Sequence, residues 1–143
     1  MVSGRSQTLL TRAHRWLYRR TGGRVGGRLG AMEQVLLTTT GRVTGRPSTT
    51  PLTGIPDGDR LVLIASDGGN PQHPHWYRNL VVNPEVVVQR GPTKHRMRAR
   101  TADPAERDRL WRIAVDLYGG YATYQGRTDR VIPVVVCEPG DQP

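Results

Sequence analysis

The stretch STTPLTGIPDGDRLVLIAS, residues 48–66, predicts a β-hairpin and with it the class of the fold. Two runs of β-branched and apolar residues, 48–55 and 60–66, flank the sequence Pro-Asp-Gly-Asp at 56–59. Proline, aspartate and glycine in this order favour a tight turn, and a tight turn between two such runs is typical of paired antiparallel strands. We therefore expect two neighbouring strands here.

Four further segments outside this hairpin have strand character. Residues 34–40 precede it, residues 85–90 and 94–101 surround Gly91-Pro92 as a second hairpin, and residues 131–138 form an apolar run. Six strands with short connections favour a closed or nearly closed barrel over alternating strands and helices. The expected fold is mainly β with helices (α+β), with about six strands and two or three helices.

Helical patterns occupy two stretches between the strands. Residues 71–82 place apolar side chains on one helical face and end before Asn83-Pro84, because a residue before proline disfavours helical geometry. Asp103 is a typical N-cap residue and is followed by Pro104, which predicts a helix that runs to about Tyr118. The tyrosine-rich segment 119–130 begins with two glycines and is expected to be a loop.

Charge divides the 143-residue chain into two parts. The net charge is +9, and residues 1–30 contain seven arginines and no acidic residue, which leaves +2 for residues 31–143. We interpret residues 1–30 as a basic amphipathic leader helix with a glycine-rich connector. Residues 31–143 have the size of a single domain that folds alone.

The leader has two interpretations, because its apolar residues recur at helical spacing among the arginines. Such a helix can lie on an anionic membrane surface, or it can pack its apolar stripe on the domain while the arginines stay in water. No run approaches the roughly 20 apolar residues of a bilayer span, and no secretion signal is recognisable. We expect a cytoplasmic protein, with peripheral contact to the inner face of the membrane left open, as is a homodimer.

Several classes of function lack the residues that they need. The chain has no Gly-x-Ser-x-Gly elbow of a serine hydrolase. Cys137 is the only cysteine, and His73 and His75 have no third ligand nearby, so we expect no metal. The basic surplus lies in the leader and not in a groove with interleaved aromatic residues, so nucleic acid is not an expected partner.

The first candidate site is the loop TTTGRVTGRP, residues 38–47. Threonine hydroxyls, backbone N–H groups beside glycines and the guanidinium groups of Arg42 and Arg46 suit phosphate and carboxylate oxygens. The same residues are equally suited to a well-capped hairpin that binds nothing.

The second candidate site joins residues 64–69 to residues 75–80. The small residues of the first segment would let a planar ring approach the backbone closely. Trp76 would either cover one face of that ring or pack in the core, and Asn79 offers hydrogen bonds.

The third candidate site contains three tyrosines at a spacing of three, Tyr118, Tyr121 and Tyr124, interrupted by Gly119-Gly120. One interpretation is a mobile aromatic lid over a pocket, with phenol groups available to a ligand. A packed loop is the alternative.

Together and in this order, these segments resemble the deazaflavin-dependent nitroreductase family of actinobacteria. The similarity covers roughly residues 17–143. It rests on LLTTTGR (36–42), TGRP (44–47), PL (51–52), AS (65–66), WYRNL (76–80), NP (83–84), Tyr121, TDR (128–130) and IPV (132–134).

The resemblance implies a split β-barrel related to FMN-binding oxidoreductases. It also implies coenzyme F420, an 8-hydroxy-5-deazaflavin whose phospholactyl tail ends in glutamates. The implied enzyme transfers a hydride from reduced F420 to an electron-poor, hydrophobic acceptor such as a quinone, an enone or a nitro compound. An FMN-dependent reductase on the same barrel is the runner-up, and a cofactor- or lipid-binding protein without turnover, docked at the membrane, is a further alternative.

The resemblance also assigns residues to the cofactor and the acceptor. The tail side is formed by Arg42, Val43, Thr44, Arg46, Ser48, Thr49, Thr50, Pro51, Leu52 and Thr53. The ring is lined by Ile64, Ala65, Ser66, Asp67, His75, Trp76, Tyr77, Arg78 and Asn79. The acceptor faces Tyr118, Tyr121 and Tyr124. The candidate catalytic residues are Ser66, for charge that develops on the ring, and Tyr121, for orienting the acceptor and donating a proton.

Four positions depart from the family pattern. Val43 and Ser48 stand where a basic residue is common, so the tail is expected to be held chiefly by Arg42 and Arg46. Asp67 takes a position that is lysine in some nitroreducing members, and Thr53 one that is tyrosine in others. The loss of two cations at Val43 and Ser48 is expected to weaken binding of the tail, and the departures together argue against the reduction of nitroimidazole prodrugs.

Overall fold

A computed structural model describes residues 31–140. The leader interpreted as an amphipathic helix at residues 1–30 lies outside the described residues. The elements in chain order are β1 (Glu33–Thr40), β2 (Pro47–Asp57), β3 (Arg60–Ile64), a 3-10 turn (Asp67–Gly69), α1 (His75–Val82), β4 (Glu85–Arg90), β5 (Thr93–Thr101), α2 (Pro104–Leu117), α3 (Gly120–Gly126) and β6 (Val134–Pro139).

The six strands form a closed antiparallel barrel in the order β1-β2-β3-β6-β5-β4, with β4 paired back to β1. Both predicted hairpins are confirmed: Asp57 pairs with Arg60 across Gly58, and Arg90 pairs with Thr93. Gly58 has φ +63°, a value that glycine adopts without strain. The predicted mainly β barrel with about six strands and three helices is therefore correct.

Strands β1 and β2 form a further hairpin, whose turn end is an arm at the edge of the barrel. Residues Pro47–Gly54 of β2 pair with β1, and only Gly54–Asp57 pairs with β3. Residues 47–53 therefore form a strand edge, and an edge is where a proline such as Pro51 is tolerated within a sheet. The Thr38 and Thr49 hydroxyls lie 2.8 Å apart across the arm.

Strands β3 and β6 are buried on both faces. Leu61 and Leu63 point into the barrel, where Trp76 and Leu80 of α1 join the same apolar cluster. Val62 and Ile64 point outward into a second cluster beneath α2 and α3. Burial on both faces explains why these strands are continuous apolar runs and not alternating ones.

The prediction that residues 119–130 form a loop is wrong, because α3 occupies Gly120–Gly126. The two glycines do not break the helix. A Cβ atom at Gly120 would lie 2.3–2.5 Å from atoms of the Tyr118 ring, so glycine there makes room for that ring. Tyr121 packs into the second cluster, and tertiary burial stabilises a helix that the local sequence does not favour.

Two predicted boundaries also shift. Helix α1 begins at His75 and not at 71, because Pro74 has an extended backbone with ψ 154° and is the N-cap. Strand β6 begins at Val134 and not at 131. The residues before β6 are bonded elsewhere: the Ile132 N–H donates to Oε1 of Gln125 in α3, at 2.9 Å.

Replacement of Gly69 by alanine tests the packing of the 3-10 turn on α3. Gly69 has φ +83°, and an added Cβ would lie 2.6 Å from the Tyr124 carbonyl oxygen; at Gly68, with φ +64°, it would meet nothing within 4 Å. Either substitution lowers the free energy of unfolding by about 1 kcal/mol, because alanine disfavours a left-handed backbone. Gly69→Ala alone lowers it by about 1–3 kcal/mol more, because its side chain is overpacked. We expect urea denaturation to show a larger loss of unfolding free energy for Gly69→Ala than for Gly68→Ala. Equal losses would contradict this packing.

Candidate active site

The β1–β2 turn is held by its own hydrogen bonds. The Gly41 N–H donates to the Arg46 carbonyl at 2.8 Å, and the Gly45 N–H donates to the Gly41 carbonyl at 2.9 Å. The Arg46 N–H donates to Oγ1 of Thr44 at 3.2 Å. The Arg42 N–H donates to Oδ1 of Asn79 at 3.2 Å. Of the N–H groups of residues 41–46, those of Val43 and Thr44 alone have no acceptor among residues 31–140.

The Arg42 side chain joins this turn to α1. Its Nη1 donates to Oδ1 of Asn79 at 2.7 Å, and its Nη2 lies 3.3 Å from Nδ1 of His75. Asn79 is buried and donates through Nδ2 to Oγ1 of Thr39 at 3.1 Å. The Asn79 side chain therefore fixes Arg42 and β1, which is a different use from the hydrogen bonds to a ligand that the sequence suggested.

Arg78 lies beside the same histidine. Its Nη2 is 3.2 Å from Nδ1 of His75. A guanidinium group only donates, so Nδ1 of His75 has to accept from both arginines, and the ring carries its proton on Nε2. Nε of Arg78 is buried without a partner among the described residues.

Charge is unevenly compensated over residues 31–140. Near α2, Arg60 and Arg100 form ion pairs with Asp57, Glu106 and Glu138. Hydrogen bonds from Arg100 are the largest of the causes that hold the pKa of Glu106 below its ordinary value. Within the described residues, Arg42, Arg46 and Arg78 have no carboxylate within 4.0 Å. This group of three cations is suited to an anionic ligand with several oxygens.

The 3-10 turn presents a short stretch of small residues and free donors. Asp67, Gly68 and Gly69 have φ values of +43°, +64° and +83°. The N–H groups of Ser66, Asp67 and Gly68 have no acceptor among residues 31–140. A planar ligand can therefore approach the backbone here and receive hydrogen bonds.

Arg130 holds this turn from behind. Its guanidinium donates to the carbonyl oxygens of Asn70 at 2.8 Å, Ala65 at 3.2 Å and Ser66 at 2.8 Å, and lies 3.0 Å from Nδ1 of His73. Desolvation by burial is the largest cause that lowers the pKa of His73, and the charges of Arg130 and Arg78 add to it. His73 is therefore a neutral acceptor at neutral pH.

The three tyrosines form a packed cluster and not a lid. The hydroxyls of Tyr118 and Tyr124 are 2.9 Å apart, and the Tyr118 and Tyr121 rings meet edge to face at 5.1 Å. Tyr121 is only 7% exposed. Burial, followed by the neighbouring Tyr118 and Tyr124, raises the pKa of Tyr121 to about 12. Among the described residues its hydroxyl has no hydrogen-bond partner.

The remaining predicted site residues differ in accessibility. Trp76 is 7% exposed and lies in the barrel core, which supports the packing alternative for this residue. Ile64, Ala65 and Ser66 are buried at the end of β3. Exposed positions are Val43, Thr44, Arg46, Ser48, Thr49, Pro51, Asp67 and His75. Half-buried positions are Thr50, Leu52, Thr53 and Tyr77.

Sequence reasoning assigned no site role to two residues of this network, His73 and Arg130. Arg130 belongs to the TDR segment of the resemblance, but no role could be assigned to it there. Its carbonyl partners Ala65 and Ser66 are 65 and 64 residues away in the chain. No local pattern reveals such a contact.

One hydrogen-bonded and packed path connects the three candidate sites. Arg42 contacts His75 of α1, and Tyr77 of α1 packs against the His73 ring at 5.0 Å. His73 contacts Arg130, which binds the Ser66 carbonyl, and Gly69 of the same turn lies against Tyr124. The fold thus brings the cationic turn, the small-residue turn and the tyrosines into one region. We find no group of three potential metal ligands within residues 31–140.

A known protein family is similar to this chain over most of its length. The family described as F420H(2)-dependent quinone reductase matches residues 10–139. An F420H(2)-dependent quinone reductase of Mycobacterium tuberculosis (strain ATCC 25618 / H37Rv) is 45% identical over 131 residues, which cover 89% of this chain and 88% of the relative.

Two solved structures are also similar to this chain. A structure of an F420-H2 dependent reductase (FDR-A) superposes with a TM-score of 0.67 at 42% identity, covering 73% of this chain and 93% of that one. A structure described as a domain-swapped dimer has a TM-score of 0.68 at 37% identity, covering 86% of this chain and 97% of that one. With the six-stranded barrel described above, these matches show that the chain belongs to the F420H2-dependent quinone reductase family of oxidoreductases, whose barrel is of the split type.

Proposed function

We propose that this protein transfers a hydride from reduced coenzyme F420 to a quinone-like acceptor at the region that joins its three candidate sites. The observation that carries the proposal is that Arg42 and Arg78, which both contact Nδ1 of His75, have no carboxylate partner among residues 31–140. The same holds for Arg46 in the turn of Arg42, and the 3-10 turn adds N–H groups without an acceptor in that part of the chain. Family membership supports it.

The residues present fit the tail of this cofactor. Its phosphate and glutamates are anionic, and the three arginines offer donor forks that match such oxygens. Arg42 is already oriented by Asn79 and His75, so binding costs little additional side-chain entropy there. Val43 is 88% exposed and contributes no cation. Fewer cations would therefore bind the tail than in relatives with a basic residue at this position.

The ring side fits a flat heterocycle with carbonyl groups along one edge. The N–H groups of Ser66, Asp67 and Gly68 are the donors for that edge, and the buried residues Ile64 and Ala65 anchor this turn in the apolar core. When bound, reduced F420 supplies the hydride, and the protein holds ring and acceptor at reacting distance. The hydroxyl of Ser66 would stabilise charge that develops on the ring.

Tyr121 is the proposed group for the acceptor. With a pKa of about 12 its phenol stays protonated at neutral pH, so it donates a hydrogen bond to the acceptor oxygen and does not act as a base. Tyr118 and Tyr124 hold it in place through ring contacts at 5.1 Å and 6.4 Å. An aromatic wall of this kind is suited to a conjugated, hydrophobic acceptor.

We also propose two modes of association. A homodimer is supported by the relative described as a domain-swapped dimer. Peripheral contact of residues 1–30 with an anionic membrane is supported by the seven arginines and the apolar stripe in that segment. Within residues 31–140, each helix is too short and too polar to span a bilayer.

Arg46→Gln tests the tail site. The Arg46 side chain has no partner among the described residues, so its loss leaves the fold unchanged. We expect affinity for F420, followed by tryptophan fluorescence, to fall about ten-fold, the value of one charge-assisted hydrogen bond. Arg112→Gln, which removes the same charge from an exposed position of α2, is the control and should bind normally. Equal affinities of the two variants would count against the tail site.

Tyr121→Phe tests the acceptor site. We expect quinone turnover to fall at least about ten-fold while F420 affinity stays the same, because the phenol is assigned to the acceptor. In the unaltered protein, turnover should show no loss from phenol ionisation up to about pH 10, where an ordinary tyrosine is half ionised. Equal losses of turnover and of F420 affinity in Tyr121→Phe would instead assign this residue to the cofactor site.

Trp16→Glu tests the membrane contact in the full-length chain. A charge in the middle of the apolar stripe should abolish flotation with vesicles that contain phosphatidylglycerol. The unaltered protein should float with these vesicles and not with pure phosphatidylcholine. Flotation that is unaffected by the substitution would contradict a membrane-bound leader.

A further inference from the structure

Arg130 makes an unusual set of contacts for a cation. Its guanidinium is half-buried and bonded to three backbone carbonyls and one imidazole nitrogen, with no carboxylate within 4.0 Å among the described residues. Desolvation by burial lowers the pKa of Arg130, and the nearby charge of Asp67 only opposes this effect. A planar fork of five donors can bind several carbonyls at once, which an ammonium group cannot do with the same geometry.

The bonded carbonyls determine where the adjacent N–H groups point. In a planar trans peptide the C=O of one residue and the N–H of the next are antiparallel. Because Arg130 binds the carbonyls of Ala65 and Ser66, the N–H groups of Ser66 and Asp67 project away from it. These are donors without an acceptor among residues 31–140.

The position of Arg130 is itself fixed by α3. Nε2 of Gln125 donates to the Arg130 carbonyl at 2.7 Å, and Oε1 of Gln125 accepts from the Ile132 N–H at 2.9 Å. The tyrosine helix thus anchors the backbone of Arg130, and the Arg130 side chain anchors the turn after β3.

We propose that Arg130 is a positioning residue, which orients the N–H groups of Ser66 and Asp67 towards the polar edge of the deazaflavin ring and aligns that ring with the tyrosines of α3. A cation at the carbonyl end of two peptides also polarises their N–H groups, which strengthens hydrogen bonds to the ring. This role rests on the proposed function, because it requires a deazaflavin at this turn.

The effect of Arg130→Lys on binding of the ring can be distinguished from an effect on binding of the tail by comparing two ligands. One is F420, and the other is its riboflavin-like 8-hydroxy-5-deazaflavin precursor, which lacks the phosphate and the glutamates. We expect Arg130→Lys to lower the affinity for both ligands by the same factor, about ten-fold, because the donors to the ring are misplaced. Arg46→Gln should lower the affinity for F420 alone, and Arg112→Gln should change the affinity for neither ligand.

A purely structural role for Arg130 predicts a different result. Arg130→Lys would then lower the melting temperature but leave the affinity for the tail-less ligand and the turnover within about two-fold of the unaltered protein. That outcome would overturn the proposal. If the unaltered protein bound neither ligand, the proposed function would fail independently of Arg130.

A second measurement needs no variant. In ¹⁵N–¹H correlation spectra of the unaltered full-length protein, addition of the tail-less deazaflavin should move the amide protons of Ser66 and Asp67 downfield, as expected for new hydrogen bonds. Amides of α2, such as that of Arg112, should not move. Binding of the ligand without a shift at Ser66 and Asp67 would overturn the proposal, whether or not Arg130→Lys folds.

Discussion

The pairing of β3 with β6 is the constraint on which the rest of this molecule depends. Leu61–Ile64 pair with Val134–Cys137, and both faces of this ladder are buried, one in the barrel and one beneath the helices. Because the strands are antiparallel, the end of β3 lies beside the start of β6. The Ala65 N–H extends the ladder by donating to the Pro133 carbonyl at 3.0 Å. The ladder therefore brings Arg130 to the turn at Ser66, and an apolar core determines the geometry of a polar site.

Charge compensation separates structural arginines from those available to a ligand. Arg60 and Arg100 are satisfied by Asp57, Glu106 and Glu138, and their ion pairs connect β3, β5 and α2. Arg42 and Arg78 are instead held by neutral groups of Asn79 and His75, which fix a cation without cancelling its charge. A binding site for anions requires this second arrangement, since a carboxylate partner would compete with the ligand.

The parts of the fold that sequence reasoning predicted correctly are local ones. The hairpin across Gly58 depends on turn residues and on strand runs within 19 residues, and the helix after Asp103 depends on a cap that is visible in the sequence: Oδ1 of Asp103 accepts from the Glu106 N–H at 2.9 Å. The error at α3 has the opposite origin. Gly119-Gly120 has the pattern of a helix break, yet Gly120 is needed because the Tyr118 ring occupies the space of its side chain.

The sequence by itself determined the barrel class, through alternating and continuous apolar runs with turn residues between them. It also indicated the candidate site segments, first through their residue types and then through their resemblance to a family. Only the tertiary structure decided how individual polar side chains are used. It assigned the Asn79 amide to Arg42 and Thr39, the Trp76 indole to the core, and the Arg130 guanidinium to the carbonyls of Ala65 and Ser66. The physical reason is that backbone preferences act between neighbours in the chain, whereas a hydrogen bond or a packed ring depends on atoms that only the closed barrel brings together.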